Sequence, residues 1–418
     1  MCIRDSLGGL ATGGLVIWID RMSDWTGNQV IAGLACDFFD RLPKDAVMGP
    51  AKKDWGSKDA ATTAYWKQRA AAYKDIVTWS PTLDPEALKT LSMRMVAEQN
   101  VRLVFHSWAV EPIIRDNVMR GVIFESKEGR QAILAKVVVD TTGDADMLAR
   151  AGLSFESDID AGDIHHCINT AFLLGGVDMD RWLAFRWEDE ARFSAFIKHG
   201  RESLSSFEKP FCSWRNDVAL FMGPRLSGYS AVNVEDLSEI ELRSRELTAQ
   251  HLEFYRNNAP GFENAFLMLG APQIGVRHSR RLTGVRKIVR AQWDEGTVWD
   301  DEIGVSTSLS PKFPNISVPY GSLVPVGLDG VLGAGRHISC DANSHSFLRE
   351  IPQCWMTGHA AGIGAALAAN SGIQPREVST QLIQRKLLEQ GAYLSPSIAN
   401  ALDAQDANNN SAMAVATG

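Results

Sequence analysis

The hydrophobic pattern changes period several times along the chain. From Gly27 to Leu42 the apolar residues Val30, Ile31, Leu34, Phe38 and Leu42 recur at helical spacing and predict one amphipathic helix. A polar insertion containing lysines and tryptophans follows over 43–78. Next, SPTLDPEALKTLSMRMVAEQN predicts a second helix. Asp84 is placed to cap it, Pro85 suits its first position, and Leu88, Leu91, Met95 and Val96 form its buried stripe. The period then shortens. VRLVF, AVEPII, GVIFES and QAILAKVVVD alternate or run apolar between turns at Asp116–Asn117 and Glu128–Gly129, and they predict strands, the last ending in TTGDAD.

Residues 155–320 have another texture. A strand-like INTAFLL (168–174) precedes a tryptophan-rich helical stretch (180–199), a segment punctuated by glycine and proline around FMGPRLSGYS, and a long helix over 236–257. At 331 the pattern returns to compact α/β: VLGAG as a short strand, a loop, then a small-residue helix to about Asn370. Beyond Ser395 the tail is low in complexity and expected to fray. Both outer thirds therefore carry nucleotide-domain texture, and the middle does not. A discontinuous cofactor domain with an inserted α+β domain accounts for this.

Composition narrows the function. The chain has 418 residues, 45% of them hydrophobic, enough for a large core and two interlocked domains. A net charge of −8 with no basic block argues against non-specific nucleic-acid binding. No apolar run approaches membrane-spanning length, and no secretory signal opens the chain. The six cysteines contain no CxxC pair and the nine histidines no HExxH, so no zinc or iron–sulfur cradle is expected. Reduced cysteines in a cytoplasmic protein are the expectation.

Two stretches could carry chemistry. VVVDTTGDADMLARAG (137–152) reads as a buried strand ending in small residues, where backbone can approach a ligand. Asp144 and Asp146 are placed to cap or charge the helix that follows; an ordinary strand-to-helix turn is the alternative. LGAGRHISCDANSHSFLREIPQCWMTGHAAGIGAALAA (332–369) places Gly358, Ala361, Gly362, Ala365 and Ala366 in one helix. Glycines inside a helix cost about 0.5–1 kcal/mol each, so something must come close, either a cofactor or another backbone. Arg336, His345 and Arg349 lie in the preceding loop and could reach a phosphate or a flavin edge.

TTGDADMLARAG resembles the ATGD element of FAD-dependent oxidoreductases of the glutathione-reductase-like FAD/NAD(P)-binding superfamily. GAGRHIS with SHSFLREIPQCWMTGHAAGIGAALAA resembles their C-terminal flavin-binding element. LGGLATGGL (7–15) resembles their flavin-side glycine turn, and APQIGVRHSRRLTG (271–284) their IGVRxSRR stretch. The resemblance covers about 7–20, 84–152 and 269–370. It implies an α/β fold: a discontinuous Rossmann-like FAD-binding domain at 7–154 and 325–375, a substrate domain at 155–324, and a C-terminal helix with a flexible tail at 376–418. The family begins with a strand–GxGxxG–helix unit and an acidic ribose ligand. GAGRHI lacks the third glycine and GIGAAL sits within a helix, so the first βαβ unit is missing and the chain is expected to be an N-terminally truncated piece that binds FAD poorly. MCIRDS reads as adaptor-derived. Where the family has ATG and a glycine between the aspartates, this chain has Thr141–Thr142–Gly143 and Ala145.

The resemblance implies FAD as cofactor. Gly8, Gly9, Thr12, Gly13 and Gly14 would lie along its phosphate and ribityl side, and Thr142, Gly143 and Asp144 near its phosphates. Gly335 and Arg336 would begin a second contact, and a helix starting near Gly358, with Ala361 and Gly362, would aim its dipole at the isoalloxazine ring. His345 and Arg349 are candidates for the flavin-proximal face, ahead of the His165–His166 pair. Arg280 is the candidate for a substrate anion, with a solvated strand edge as the alternative for Arg277, Arg280 and Arg281. The expected activity is hydride transfer from a small-molecule substrate to flavin, with an unidentified electron acceptor and self-association open. A flavin monooxygenase or halogenase is the rival enzyme; a cofactor-free, non-catalytic remnant is the rival from another class.

Overall fold

The computed structural model describes residues 5–157 and 166–417. They form two compact units. The first comprises Met1–Asn28, Phe38–Trp108 and Ser157–Ser279; the second comprises Gln29–Asp37, Ala109–Glu156 and Arg280–Gly418. This division by packing cuts the chain at other points than the division by function expected from the sequence.

In the first unit, an antiparallel sheet runs in the order Phe211–Cys212, Val218–Phe221, Phe172–Gly175, Phe266–Gly270. Helices Met179–Glu188, Glu190–Ser203 and Val234–Asn258 supply the rest of its core. Trp182 is fully buried, with the rings of Phe185, Phe193, Phe196, Tyr255 and Phe262 at 5.5–5.9 Å from its own. Burial of side chains this large contributes on the order of 2–3 kcal/mol each, which explains why a tryptophan-rich stretch sits here. The stretch is two helices rather than one because Asp189 ends the first and caps the second, accepting from Arg192 N. The helix Pro85–Glu98 forms as its sequence predicts. Asp84 accepts from Glu86 N and Ala87 N, Pro85 occupies the first turn, Leu88 and Leu91 are buried, and Met95 and Val96 are half-buried.

In the second unit, a three-stranded antiparallel meander (Trp108–Arg115, Val118–Ser126, Gly129–Leu134) leads into strand Val138–Asp140. Its first turn is Asp116–Asn117, both at positive φ (52° and 57°), the two-residue geometry whose twist matches antiparallel strands. Val138–Asp140 pairs in parallel with Val331–Gly333, from the far end of the chain. A parallel pair needs a long crossover; here the whole middle of the sequence supplies it. Helix Ile351–Ser371 ends at Gly372, whose φ of +69° is the left-handed cap glycine favours.

Four expectations change. The helix over 27–42 covers only Leu34–Arg41, because Asp24 Oδ1 accepts from Thr26 N and Asn28 N and ties 24–28 into a loop, while Gly33 at φ +63° breaks the remainder. VRLVF stays irregular, with Val101 56% exposed. INTAFLL is two short strands, Ile168–Asn169 and Phe172–Gly175, which join different sheets. The tail expected to fray is the helix Pro396–Thr417, in keeping with its alanine content.

Candidate functional site

The second unit brings two of the sequence motifs together at the C-terminal ends of its parallel strands, the edge at which open α/β sheets bind ligands. Strand Val138–Asp140 runs into Thr141–Asp144, and Val331–Gly333 into Ala334–Arg336. Ala334 N donates to Asp140 O at 3.0 Å, joining the loops at their base. Beyond this, the Arg336 guanidinium reaches across and Nη2 contacts Asp144 Oδ1 at 2.9 Å, with both side chains largely buried. Gly143 lies beneath it at φ +81°, and a Cβ there would come within 2.7 Å of Arg336 Nη2. Glycine is required twice over, by backbone conformation and by room for the guanidinium.

Asp140 holds the first loop in shape. It is 2% exposed. Oδ1 accepts from Thr142 N (2.9 Å) and Thr142 Oγ1 (2.8 Å), and Oδ2 from Met147 N (3.0 Å) and Leu148 N (3.2 Å). Thr142 Oγ1 in turn accepts from Asp146 N. Capping of helix Asp146–Arg150 thus falls to Asp140 and Thr142, because the strand-end carboxylate already points at the helix amides; of the two residues expected to cap or charge the helix start, Asp146 lies in its first turn and supplies charge, not a cap. Asp146 instead receives Arg280 Nη1 (3.1 Å), which also donates to Asp144 O (3.0 Å). Burial, and then the neighbouring Asp144, push the Asp146 carboxyl up, against the pull of Arg150 and Arg280. The structure therefore places Arg280 as a brace behind the loop. Arg281 is no solvated charge: it is fully buried, donating to Cys340 O and pairing with Glu156.

Gly335, at φ +97°, donates its N–H to Thr357 Oγ1 at 3.1 Å and so fastens the second loop to helix Ile351–Ser371. That helix begins at Ile351, with Pro352 in its first turn, two turns before the start near Gly358 expected from the sequence; proline at the first turn costs nothing, and interior glycines merely weaken a helix. Its small residues divide by face. A Cβ at Gly364 would lie 2.5 Å from Tyr320 Oη, so Gly364 serves close packing; Ala361 is also fully buried. At Gly358 and Gly362 a Cβ would meet nothing within 4 Å, and Gly362 and Ala366 are exposed. One stripe of the helix, four residues apart, is bare and open.

His345 is fully buried, with Nε2 3.0 Å from Arg336 O. Arg349 pairs with Glu350 at 3.1 Å. Burial pushes the Cys354 thiol up to about 12, which leaves it neutral. His337, in the middle of the second motif, is fully buried, and burial pushes its imidazole pKa down despite Asp140 nearby.

LGGLATGGL belongs to the first unit and is a tight turn around Gly9–Ala11. Thr12 is buried and donates to Leu7 O at 2.6 Å. A Cβ at Gly14 would strike the Leu10 backbone at 2.8 Å, and one at Gly13 would press on Gln273 at 3.0 Å. Gly8 (φ +95°) and Gly9 (φ +51°) are the exposed pair. His165 lies outside the described residues; the His166 ring is 5.8 Å from that of His278.

Sequence reading missed Asp140, His337 and Thr357. A lone aspartate closing an apolar strand, with small residues and a helix after it, was the available signal for Asp140. Nothing in the sequence marked the other two.

A family described as FAD dependent oxidoreductase matches residues 3–387. The chain belongs to the FAD-dependent oxidoreductase family. Its fold is accordingly the α/β one of a Rossmann-like FAD/NAD(P)-binding domain with an insertion, and the family's cofactor is FAD. No curated protein matches the chain. Among solved structures it is similar to a geranylgeranyl bacteriochlorophyll reductase-like protein from Thermoplasma acidophilum (14% identity, 75% of this chain and 61% of that one, TM-score 0.38). It is also similar to p-nitrophenol 4-monooxygenase from Pseudomonas putida (14%, 83% and 71%, 0.37) and to a flavin-dependent brominase (13%, 75% and 62%, 0.37). The chain thus spans about three fifths of the first of these relatives. Among the described residues no helix is long and apolar enough to cross a membrane.

The second unit's residues fit a flavin dinucleotide in their chemistry. Two strand-end loops offer positive-φ glycines, a guanidinium suited to a phosphate, and an adjoining helix face without side chains.

Proposed function

We propose that this chain contributes the flavin-holding loops of an FAD-dependent oxidoreductase that takes hydride from a small-molecule substrate. The observation that carries the reading is the Arg336–Asp144 pair at 2.9 Å over Gly143, on a loop tied through Gly335 and Thr357 to the helix that carries Gly358 and Gly362. When bound, FAD would accept the electron pair of the reaction. The chain's own residues bind and orient. Arg336 would hold a phosphate oxygen, with Asp144 keeping the fork in place, and Thr142 and Gly143 would give a backbone edge free of bulk. Gly335, anchored by Thr357, sets where Arg336 emerges, and His345 steadies the same segment through the Arg336 carbonyl. Gly358 and Gly362 would leave room for the cofactor against the helix. Gly8 and Gly9 of the glycine turn, with Thr12, Gly13 and Gly14 shaping it, are assigned to the cofactor on the motif's resemblance. Arg280 serves the reading as a brace for the loop, and Arg349 as a cation near the start of the long helix.

The test is a titration of the chain with FAD, followed by quenching of flavin fluorescence. Saturable binding that Arg336→Ala weakens about tenfold or more, the worth of one charge-assisted contact of about 1.5–3 kcal/mol, supports the assignment. Equal binding by the variant, or none by either protein at millimolar FAD, refutes it.

A further inference from the structure

The four-stranded sheet of the first unit has two unlike edges. At one, strand Phe211–Cys212 is only two residues long, with Cys212 buried and the Phe211 ring 5.8 Å from that of Trp18. At the other, strand Phe266–Gly270 pairs with Phe172–Gly175 and, among the described residues, with no second strand. An edge strand leaves the N–H and C=O groups along its outer side without a strand partner, and charge, proline or very short length normally keeps another chain from pairing there.

Phe266–Gly270 has none of these guards. It contains no charge, and Pro272 stands two residues past its end. Phe266, Leu267, Met268 and Leu269 are 54%, 46%, 48% and 36% exposed. Successive side chains of a strand point to opposite faces, so apolar surface shows on both faces of this edge. The register steps at Met268, which has no residue opposite it on Phe172–Gly175; this bulge leaves the four side chains uncovered. At Gly270 a Cβ would meet nothing within 4 Å, so the end of the strand is open as well. Four consecutive half-exposed apolar residues on an open edge mark an association surface.

We infer that a second copy of this chain covers the edge, the two Phe266–Gly270 strands running antiparallel about a two-fold axis near Met268. Such an axis presents the same residues from both sides, so the surface has only to be complementary to itself. It is: residues 264–273 carry no charge, and Glu263 just before them is taken up by Arg181 at 2.8 Å. Two copies therefore bring no like charges together, whereas a charged partner would find nothing to pair with. Full overlap of two equal edges sets the axis near the middle residue. Half of roughly 150–200 Å² from each of the four side chains gives about 300–400 Å² per copy. A standard interface takes about 800 Å² from each partner, so the dimer is weak, with a dissociation constant on the order of 10–100 μM. The inference concerns the first unit alone and does not depend on the flavin assignment.

Sedimentation velocity of the full chain over about 1–300 μM tests it. The parent should pass from monomer to dimer across that range. Met268→Lys sets like charges against each other at the axis, and Met268→Glu does the same with the opposite sign. Each variant alone should associate about tenfold more weakly or less, and an equimolar mixture of the two should dimerise again. Met268 is exposed, so both variants should keep the parent circular dichroism and unfolding midpoint at low concentration. A parent that stays monomeric throughout overturns the inference. So do dimers or larger species that persist unchanged in both variants, or a mixture no more associated than its components.

Discussion

Replacing Asp140 by asparagine removes no more than a charge and an acceptor, yet the structure makes it costly. The carboxylate takes four donors, two on each oxygen, at 2.8–3.2 Å in a nearly water-free setting. An asparagine can offer an oxygen to one pair only. The cheaper orientation keeps it on Met147 N and Leu148 N and turns the NH₂ toward Thr142. The Thr142 hydroxyl can reverse its role and accept, but the Thr142 amide cannot. One charge-assisted bond is lost, at about 1.5–3 kcal/mol, and the helix start loses a favourable negative charge, at about 0.3–1 kcal/mol. The sum is about 2–4 kcal/mol. For a unit of this size each kcal/mol moves the midpoint by about 2–4 °C, so thermal unfolding of Asp140→Asn is expected roughly 5–15 °C below the parent. Amide exchange should show where the loss lies, with Thr142 losing protection and Met147 and Leu148 keeping most of theirs. A shift under about 2 °C with all three amides unchanged would refute the clamp.

Two further outcomes follow from packing and burial. Gly364→Ala sets a methyl 2.5 Å from Tyr320 Oη, whose hydroxyl donates to Pro375 O. Overpacking of this kind costs about 1–3 kcal/mol; urea unfolding should show the loss, and adding Tyr320→Phe should restore part of it, whereas an additive double variant would show that the hydroxyl is not what obstructs. Burial holds the imidazoles of His337 and His251 below their usual pKa. The unfolded chain therefore binds more protons than the folded one as pH falls below about 6.5. Stability should be full above that value and decline on acidification, and replacing His337 with phenylalanine should flatten the decline seen in unfolding midpoints between pH 7.5 and 5.

Local signals were legible where one segment sufficed to express them. Asp84 and Pro85 announced a helix and made one; Asp116–Asn117 announced a hairpin turn and made one. The apolar spacing over 27–42 is genuine, but the helix is shorter because Asp24 claims backbone amides at its start. The tail folds as a helix although its sequence is low in complexity, because alanine favours the helix whatever the monotony. For the site, the motifs were visible and their internal wiring was not. Gly364 looks like Gly362 in the sequence, and only the position of Tyr320 separates a packing glycine from an open one. Arg280, expected to meet a substrate anion or else to lie with Arg281 on a solvated edge, pairs with Asp146, and Arg281 with Glu156; neither partner is near them in sequence. Contacts across more than a hundred residues leave no local period.

The central claim is that the bare stripe of helix Ile351–Ser371 is kept open for the flavin. Gly362→Ala tests it directly, through parallel measurements of unfolding and FAD affinity. A Cβ there meets no protein atom within 4 Å, so without cofactor the variant should be as stable as the parent or more stable by up to about 1 kcal/mol from helix propensity. FAD affinity should fall about tenfold, because the methyl occupies space assigned to the ligand. A variant that gains stability and binds FAD as tightly as the parent would contradict the account.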